Sequence, residues 1–493
     1  MSLNAKVNRG VAWSAGAQAV IAIADLVSQL LVVALWIPAD DYGIAFAAIP
    51  FYTALDYMAD LGVTSALIQR DDHTPERIST VFWFNVLVST ALFAALLGLG
   101  PLYGWLQHTP VLGWLLIAYG GKLLLQNIYA IPYALLRKEL RFAEIAKARI
   151  IAHVSESGAR IVFAAMGFTV WCWTLAALTR ALVFGVIMQA RHPFVPKLVF
   201  RPREVIEYVR FGLRSAASQV LYQLYTSMDA PIIFHFFGKT AAGIYGLADS
   251  IVLEPVKTIA NVVIDVAFPT FARLRSERGA LIDQFIRFTR LNLMTVLPFV
   301  VLILLVIPEF LNLVYLGGGK PGDEWTADKL YLCGEAARIL CVMGLFRALG
   351  FLGPPLLDGI GRPELTLRYM TFATVAVPGA FWLAAVTLGD RLGFISVAIA
   401  WAIGYPLAFA VLSYLVVRSV ELPLRQYLRG VWGIIACCLG GLGAGAAVSY
   451  ALAAQGDLIR LLAVGVTALA STVALLAWWQ KITPRSITAA LRG

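Results

Sequence analysis

The stretch DYMADLGVTSALIQRDD, Asp56–Asp72, decides what kind of protein this chain makes. It begins inside an apolar run and yet carries two carboxylates, Asp56 and Asp60. In a helix these lie one turn apart on one face. A water-facing surface would hold both without difficulty, but the composition excludes a soluble fold. Of the 493 residues, 60% are hydrophobic and 14% charged, with a mean hydropathy of +0.78. A soluble domain is about half apolar and a quarter charged. Such a chain in water would expose large apolar areas. The chain is therefore an integral membrane protein, and the stretch reads as the end of a membrane-spanning helix.

A spanning helix needs about 20 mostly apolar residues. Working outward from Asp56, fourteen segments qualify: 11–36, 42–68, 78–106, 111–136, 148–167, 169–190, 212–237, 240–268, 290–316, 329–357, 364–388, 393–417, 430–453 and 458–480. The predicted fold class is an all-α polytopic membrane protein of about 14 transmembrane helices. With the N-terminus in the cytoplasm, the cytoplasmic segments collect 28 Lys and Arg and the opposite side 5. That asymmetry is the positive-inside signature and places both termini in the cytoplasm. A net charge of +10 spread between apolar runs is a topology signal, so no nucleic-acid partner is expected. The five cysteines, Cys172, Cys333, Cys341, Cys437 and Cys438, lie in or beside apolar segments without metal-ligand spacing and read as small core residues.

The connection over 191–211 places Val205, Tyr208, Val209 and Gly212 at helical spacing and reads as an interfacial amphipathic helix. It follows six spans, where a junction between two six-helix lobes belongs. The expected organisation is an N-lobe over 1–190, a linker over 191–211, a C-lobe over 212–417, and two further helices with a cytoplasmic tail over 418–493. Ala272–Arg290 reads as a second interfacial piece.

Six basic residues remain inside spans: Lys122, Arg160, Arg180, Lys257, Arg338 and Arg347. Each costs about 2.5–3.5 kcal/mol at a helix centre on insertion scales, so each needs a wet cavity or a partner. Glu254–Lys257 and Glu335–Arg338 are i,i+3 pairs, readable as packing pairs or as cavity groups. His153, Glu156 and Arg160 form a polar stripe on one helical face. Lys122 and Arg180 have no acid within four residues, which leaves a cavity role or an inter-helix acid such as Asp25 or Asp56. Arg347 lies nearer the cytoplasmic end, where snorkelling competes with a cavity role. A cavity lined by these cations favours an anionic substrate, phosphate above all, because the guanidinium fork matches its geometry. Asp25, near the middle of span one, reads as a coupling group for a cation or proton, or as a salt-bridge partner of a basic residue. Asp56 reads as a counter-charge to Lys122 or Arg180, and Asp60, beside Gly62, as a structural or gating group.

Gly238-Lys239-Thr240 lacks the earlier glycine of a phosphate-binding loop, the position being Ile233. No HExxH, GxSxG or zinc spacing occurs, and the sequence predicts no cofactor, no metal and no enzymatic activity. One enzymatic alternative rests on Asp40 and Asp41, an acidic pair in the first extracytoplasmic loop. Membrane glycosyltransferases and polymerases that use polyprenyl-linked sugars place acids there, but PADDYG reads equally as a turn and helix cap.

Several stretches resemble the polysaccharide-transporter branch of the multidrug/oligosaccharidyl-lipid/polysaccharide flippase superfamily. Ala59–Val86, ADLGVTSALIQRDDHTPERISTVFWFNV, is similar to that family's second-span ending. Glu207–Val220 resembles its lead-in to span seven, Phe268–Leu274 its exit from span eight, and Leu356–Arg368 its Gly-Arg-Pro turn. The look-alikes are flippases for exopolysaccharides of the xanthan and colanic-acid type. The resemblance implies two V-shaped lobes of six helices plus two C-terminal helices in a bacterial inner membrane. It implies translocation of undecaprenyl-pyrophosphate-linked repeat units to the periplasmic leaflet by alternating access through a basic cavity. Lys122, Arg160, Arg180, Lys257, Arg338 and Arg347 then hold the substrate, with Asp25, Asp56, Asp60, Glu156, Glu254 and Glu335 as coupling or counter-charges. The implied partners are an anionic lipid-linked oligosaccharide, membrane lipids, and a polysaccharide polymerase with its export machinery. A cation-coupled drug exporter of the same superfamily is the alternative; it wants an acidic cavity.

Overall fold

The computed structural model describes residues 3–60, 74–139, 141–202, 217, 219–316 and 325–480, with side chains 3–15, 19 and 60 outside the description. Every regular element among the described residues is helical. In hydrocarbon each backbone N–H and C=O must find a partner within its own segment, and only the helix achieves this locally. The helices are α1 (Leu3–Leu35), α2 (Ala39–Asp60), α3 (Pro75–Leu106), α4 (Pro110–Lys138), α5 (Phe142–Ala165), α6 (Cys172–Arg191) and α7 (Asp229–Arg273). They continue as α8 (Arg278–Leu311, ending in a π turn over Asn312–Leu316), α9 (Ala327–Gly350), α10 (Gly353–Gly359), α11 (Pro363–Leu392), α12 (Ile395–Val420), α13 (Leu424–Ala451) and α14 (Asp457–Gln480).

Among the described residues, ten helices are long and apolar enough to cross a membrane, fewer than the fourteen the sequence suggests. The three long helices outside that set are α2, α5 and α7, each of which carries several acids or bases. Ten such helices make this a multi-pass membrane protein. Start signals are local. Thr74 accepts from the Arg77 N–H at 3.3 Å to cap α3, with Pro75 at its first position, and Thr326 caps α9 in the same way. In α7, Gly238 has φ 82° and ψ −179°, so two helical pieces meet there, as the expected break between spans seven and eight requires.

One expectation is corrected. The piece over 272–290 is not a separate interfacial helix: α8 runs unbroken from Arg278, with Leu281, Ile282, Phe285 and Ile286 buried. Its apolar face is long enough to extend the span rather than to lie on the surface. The linker helix expected from Val205, Tyr208, Val209 and Gly212 lies outside the described residues, as do Leu61–His73 of the opening stretch. The described start of the linker is irregular and strapped to α3. Trp83 donates to the Lys197 carbonyl at 2.8 Å, and Lys197 pairs with Glu76 at 2.6 Å.

The chain divides into two compact units, Met1–Gly243 and Ile244–Gly493. In the first, α3 packs on α4, α5 on α6 and α1, and α4 on α6. In the second, α8 packs on α9, α9 on α12, and α11 on α12. The α13–α14 pair docks on α8, where Arg290 meets Gln480 at 3.2 Å and Gln426 meets Asp283 at 3.1 Å. The first unit also contains a close crossing of α2 with the second piece of α7. A Cβ on Gly43 would lie 1.8 Å from the Lys239 carbonyl oxygen, and one on Gly243 would lie 1.8 Å from that of Ala39.

Candidate functional site: a charge cluster in the first unit

Five helices of the first unit bring their charges together. On α4, Tyr119, Lys122 and Gln126 follow helical spacing and so share a face. All three converge on Asp56 of α2. Lys122 Nζ lies 2.6 Å from Asp56 Oδ1, Gln126 donates to the same oxygen at 2.7 Å, and the Tyr119 hydroxyl donates to Oδ2 at 2.9 Å. Behind them Tyr52 stacks on Tyr119 with ring centroids 3.9 Å apart, and its hydroxyl meets Thr174 of α6 at 2.9 Å. Rigid aromatic packing holds the lysine where a flexible stem would otherwise wander.

The other half of the cluster is built on the stripe His153, Glu156, Ser157 and Arg160 of α5. Arg180 of α6 lies 3.3 Å from Glu156, and His153 lies 3.4 Å from Glu156 and 3.5 Å from Asp25 of α1. Ser157 donates to Asp25 at 3.2 Å, and Arg160 donates to Ser28 at 2.9 Å and pairs with Asp25 at 3.6 Å. Asp25, His153 and Glu156 present ligand atoms within 4.8 Å of one another. Arg160 and Arg180 already neutralise these two carboxylates, so the group balances its charge without an ion.

The arrangement changes the picture drawn from sequence. Lys122, Arg160 and Arg180 are each matched by a carboxylate, Asp56, Asp25 and Glu156, so this part of the expected basic cavity sets three cations against three acids in alternating signs. Depth separates the members. Lys122 is 2% exposed, whereas the side chains of Arg180 and Asp56 each keep 29% and Asp25 34%. Arg180 is the guanidinium within reach of a visitor; Lys122 and Arg160 stand behind their acids. Tyr119, Gln126, Ser28 and Ser157 belong to the cluster and were missed because neutral polar residues in an apolar helix leave only their spacing as a signal.

The remaining expected residues do not join it. In the second unit Lys257 pairs with Glu254 at 3.3 Å and Arg338 with Glu335 at 2.7 Å, all four side chains well exposed. Arg347 is 5% exposed, its guanidinium 5.8 Å from the Phe351 ring, so it does not snorkel to the membrane surface. The side chain of Asp60 lies outside the described residues. Asp40, one of the two acids of the enzymatic alternative, is engaged by Lys239 at 3.1 Å and by the Thr240 hydroxyl. That contact also gives Gly238-Lys239-Thr240 a structural task.

The second unit holds an ion pair that the sequence did not announce. Arg460, near the start of α14, reaches Glu309 of α8 at 2.8 Å, and the Glu309 side chain is only 4% exposed. Removing one partner of a buried pair strands the other charge, at a cost of about 3–5 kcal/mol. Arg460→Ala is therefore expected to lower the melting temperature of purified protein clearly, and Glu309→Gln with Arg460→Ala to recover most of the loss. A melting temperature unchanged in Arg460→Ala would show the pair to be irrelevant to stability.

The chain is similar to known proteins over most of its length. It is 26% identical over 454 residues to the lipopolysaccharide biosynthesis protein WzxC of Escherichia coli, covering 88% of this chain and 85% of that one. It is 26% identical over 374 residues to the teichuronic acid biosynthesis protein TuaB of Bacillus subtilis, covering 76% and 74%. Among solved structures, the lipid II flippase MurJ in its inward closed conformation matches with a TM-score of 0.74 at 16% identity, covering 94% of this chain and 98% of that one. At that identity the likeness shows a shared fold. The profile of the polysaccharide biosynthesis protein family matches residues 32–327, more than half of the sequence. With that span matched, the chain belongs to the polysaccharide biosynthesis protein family.

Proposed function

We propose that this protein is a flippase, not an enzyme, that carries polyprenyl-pyrophosphate-linked oligosaccharide repeat units across a bacterial inner membrane, from the cytoplasmic to the periplasmic leaflet. The supporting observation is the Arg180–Glu156–His153 arrangement. Arg180 is half-exposed and held by one 3.3 Å pair, so an arriving pyrophosphate competes with Glu156 for its fork. Glu156, released, stays beside His153 Nδ1, 3.4 Å away. Lys122 and Arg160 set the local potential from behind while their acids prevent a fixed, trapping site. Transport needs binding strong enough to select the headgroup and weak enough to release it. Loading and release follow alternating access between a lobe over 1–190 and a lobe over 212–417, joined by the linker over 191–211, with both termini cytoplasmic. In the second lobe Lys257, Arg338 and Arg347 are that lobe's own candidate anion contacts, with Glu254 and Glu335 as counter-charges. A polysaccharide polymerase with its export machinery takes the product onward.

The test is genetic and chemical. Deletion of the gene is expected to accumulate lipid-linked repeat units on the cytoplasmic side and to abolish polymer. Normal polymer with heightened dye sensitivity would point to a cation-coupled drug exporter instead. Export of linked but unpolymerised repeats would point to a polymerase. Purified protein in proteoliposomes is expected to flip defined lipid-linked glycans, and imposed proton or sodium gradients identify the driving ion.

A further inference from the structure

The first unit holds a second polar cavity, of about 130 Å³, beside the α4–α5 turn and separate from the Lys122–Arg180 cluster. Its polar lining is Gln18, Tyr133, Arg137 and Arg149, and no Asp or Glu contributes. Both arginines are exposed, and among the described residues neither meets a carboxylate. The acids nearest in sequence are committed elsewhere: Arg141 grips Glu144 at 2.7 and 2.8 Å and Glu139 at 3.2 Å. Those hydrogen bonds hold the Glu144 carboxyl below its ordinary range, so it remains an anion bound to Arg141. Arg149 is positioned, not loose. Its Nη2 donates to the Tyr133 hydroxyl at 2.6 Å, and its guanidinium lies 5.5 Å from that ring.

At about 30 Å³ per water the cavity holds roughly four waters, room for one phosphate group and too little for an oligosaccharide. Tyr133 also lines a neighbouring cavity of about 160 Å³ with Gln126, Asn127, Asn85 and Ser89. Gln126 in turn donates to Asp56 at 2.7 Å. A row of polar side chains thus leads from Arg149 through Tyr133 and Gln126 to the Asp56–Lys122 pair.

The geometry points to a phosphate-binding subsite formed by Gln18, Tyr133, Arg137 and Arg149, which receives the phosphate of a polyprenyl-linked headgroup before the headgroup reaches Arg180. The identity of the ligand as a lipid headgroup rests on the flippase reading; phosphate recognition by two unneutralised forks does not. Arginines that served only to fix topology by charge would need neither the cavity nor the Tyr133 anchor.

The test uses full-length protein in nanodiscs of zwitterionic lipid, with inorganic pyrophosphate and farnesyl pyrophosphate as calorimetric probes. Wild type is expected to bind farnesyl pyrophosphate, and R137Q/R149Q to bind it at least ~10-fold more weakly, with part of the affinity restored in R137K/R149K. Binding of farnesyl pyrophosphate alone supports a headgroup subsite, and equal binding of inorganic pyrophosphate supports a subsite for free phosphate. Equal affinity in wild type and a monodisperse R137Q/R149Q, or no binding of either probe to wild type, overturns the proposal. If the glutamine double variant is not monodisperse, R137K/R149Q and R137Q/R149K take its place under the same criterion. Should wild type fail to flip any defined glycan while R137Q/R149Q still loses probe binding, the subsite stands and the transport reading falls.

Discussion

Arg180→Gln and Lys122→Ala are each expected to lose transport and to lower the melting temperature. Arg180 keeps 29% of its side chain exposed, but its partner Glu156 keeps only 9%, so removing the guanidinium strands a buried carboxylate. What disappears is the guanidinium that a pyrophosphate reaches. A charge-assisted contact contributes about 1.5–3 kcal/mol, so flipping in proteoliposomes is expected to fall by ~10-fold to ~100-fold. Lys122 is 2% exposed and is the charge that neutralises Asp56. Its removal costs less than the ~3–5 kcal/mol of a fully buried pair, because Asp56 keeps 29% exposure, but enough to lower the melting temperature. Lys122→Met with Asp56→Asn, which removes both charges, is expected to restore melting and not transport. Normal flipping by both Arg180→Gln and Lys122→Ala would sink the role of this cluster in substrate handling.

Gly43→Ala and Gly243→Ala are expected to be the most damaging single methyl additions in the first unit. In a helix interior Ala is ordinarily better than Gly by about 1 kcal/mol. Here the new carbon meets the Lys239 or Ala39 carbonyl oxygen at 1.8 Å, and a backbone atom has no rotamer to escape into. The helices must separate, which also pulls Asp40 from Lys239 and Thr240. Overpacking of this kind costs about 1–3 kcal/mol or more, so lower melting and loss of flipping should appear together. Gly98→Ala is the control, since its added carbon meets nothing within 4 Å. Wild-type melting and flipping in Gly43→Ala would show that the close crossing is dispensable.

Much of the fold is legible because the bilayer imposes a one-dimensional code. Apolar runs of spanning length, with Lys and Arg gathered between alternate pairs, give an all-helical multi-pass protein before any contact is known. The same code is weakest where the charge cluster lies: α2 and α5, which carry Asp56, His153, Glu156 and Arg160, fall short of the apolar helices that surround them. Ala272–Arg290 misled for a related reason. A charged amphipathic segment reads alike whether it lies on a surface or begins a span, and only packing of Leu281, Phe285 and their neighbours distinguishes the two.

The six intramembrane cations and their acids were visible as costs, since an unpaired charge in hydrocarbon demands a partner. Their pairing was not. Lys122 and Asp56 are 66 residues apart, and Arg160 and Asp25 are 135 apart, with nothing in linear spacing to join them. Only the packing of α1, α2, α4, α5 and α6 decides that Lys122 stands behind Asp56, that Arg180 remains reachable, and that three cations meet three acids. Composition and hydropathy act residue by residue and are fixed in the sequence. Net charge at a point depends on which helices meet there, and that is settled by the tertiary structure. The stretch around Asp56 shows the division: the sequence alone reads it as the end of a spanning helix, and the fold makes its first aspartate the counter-charge of a buried lysine.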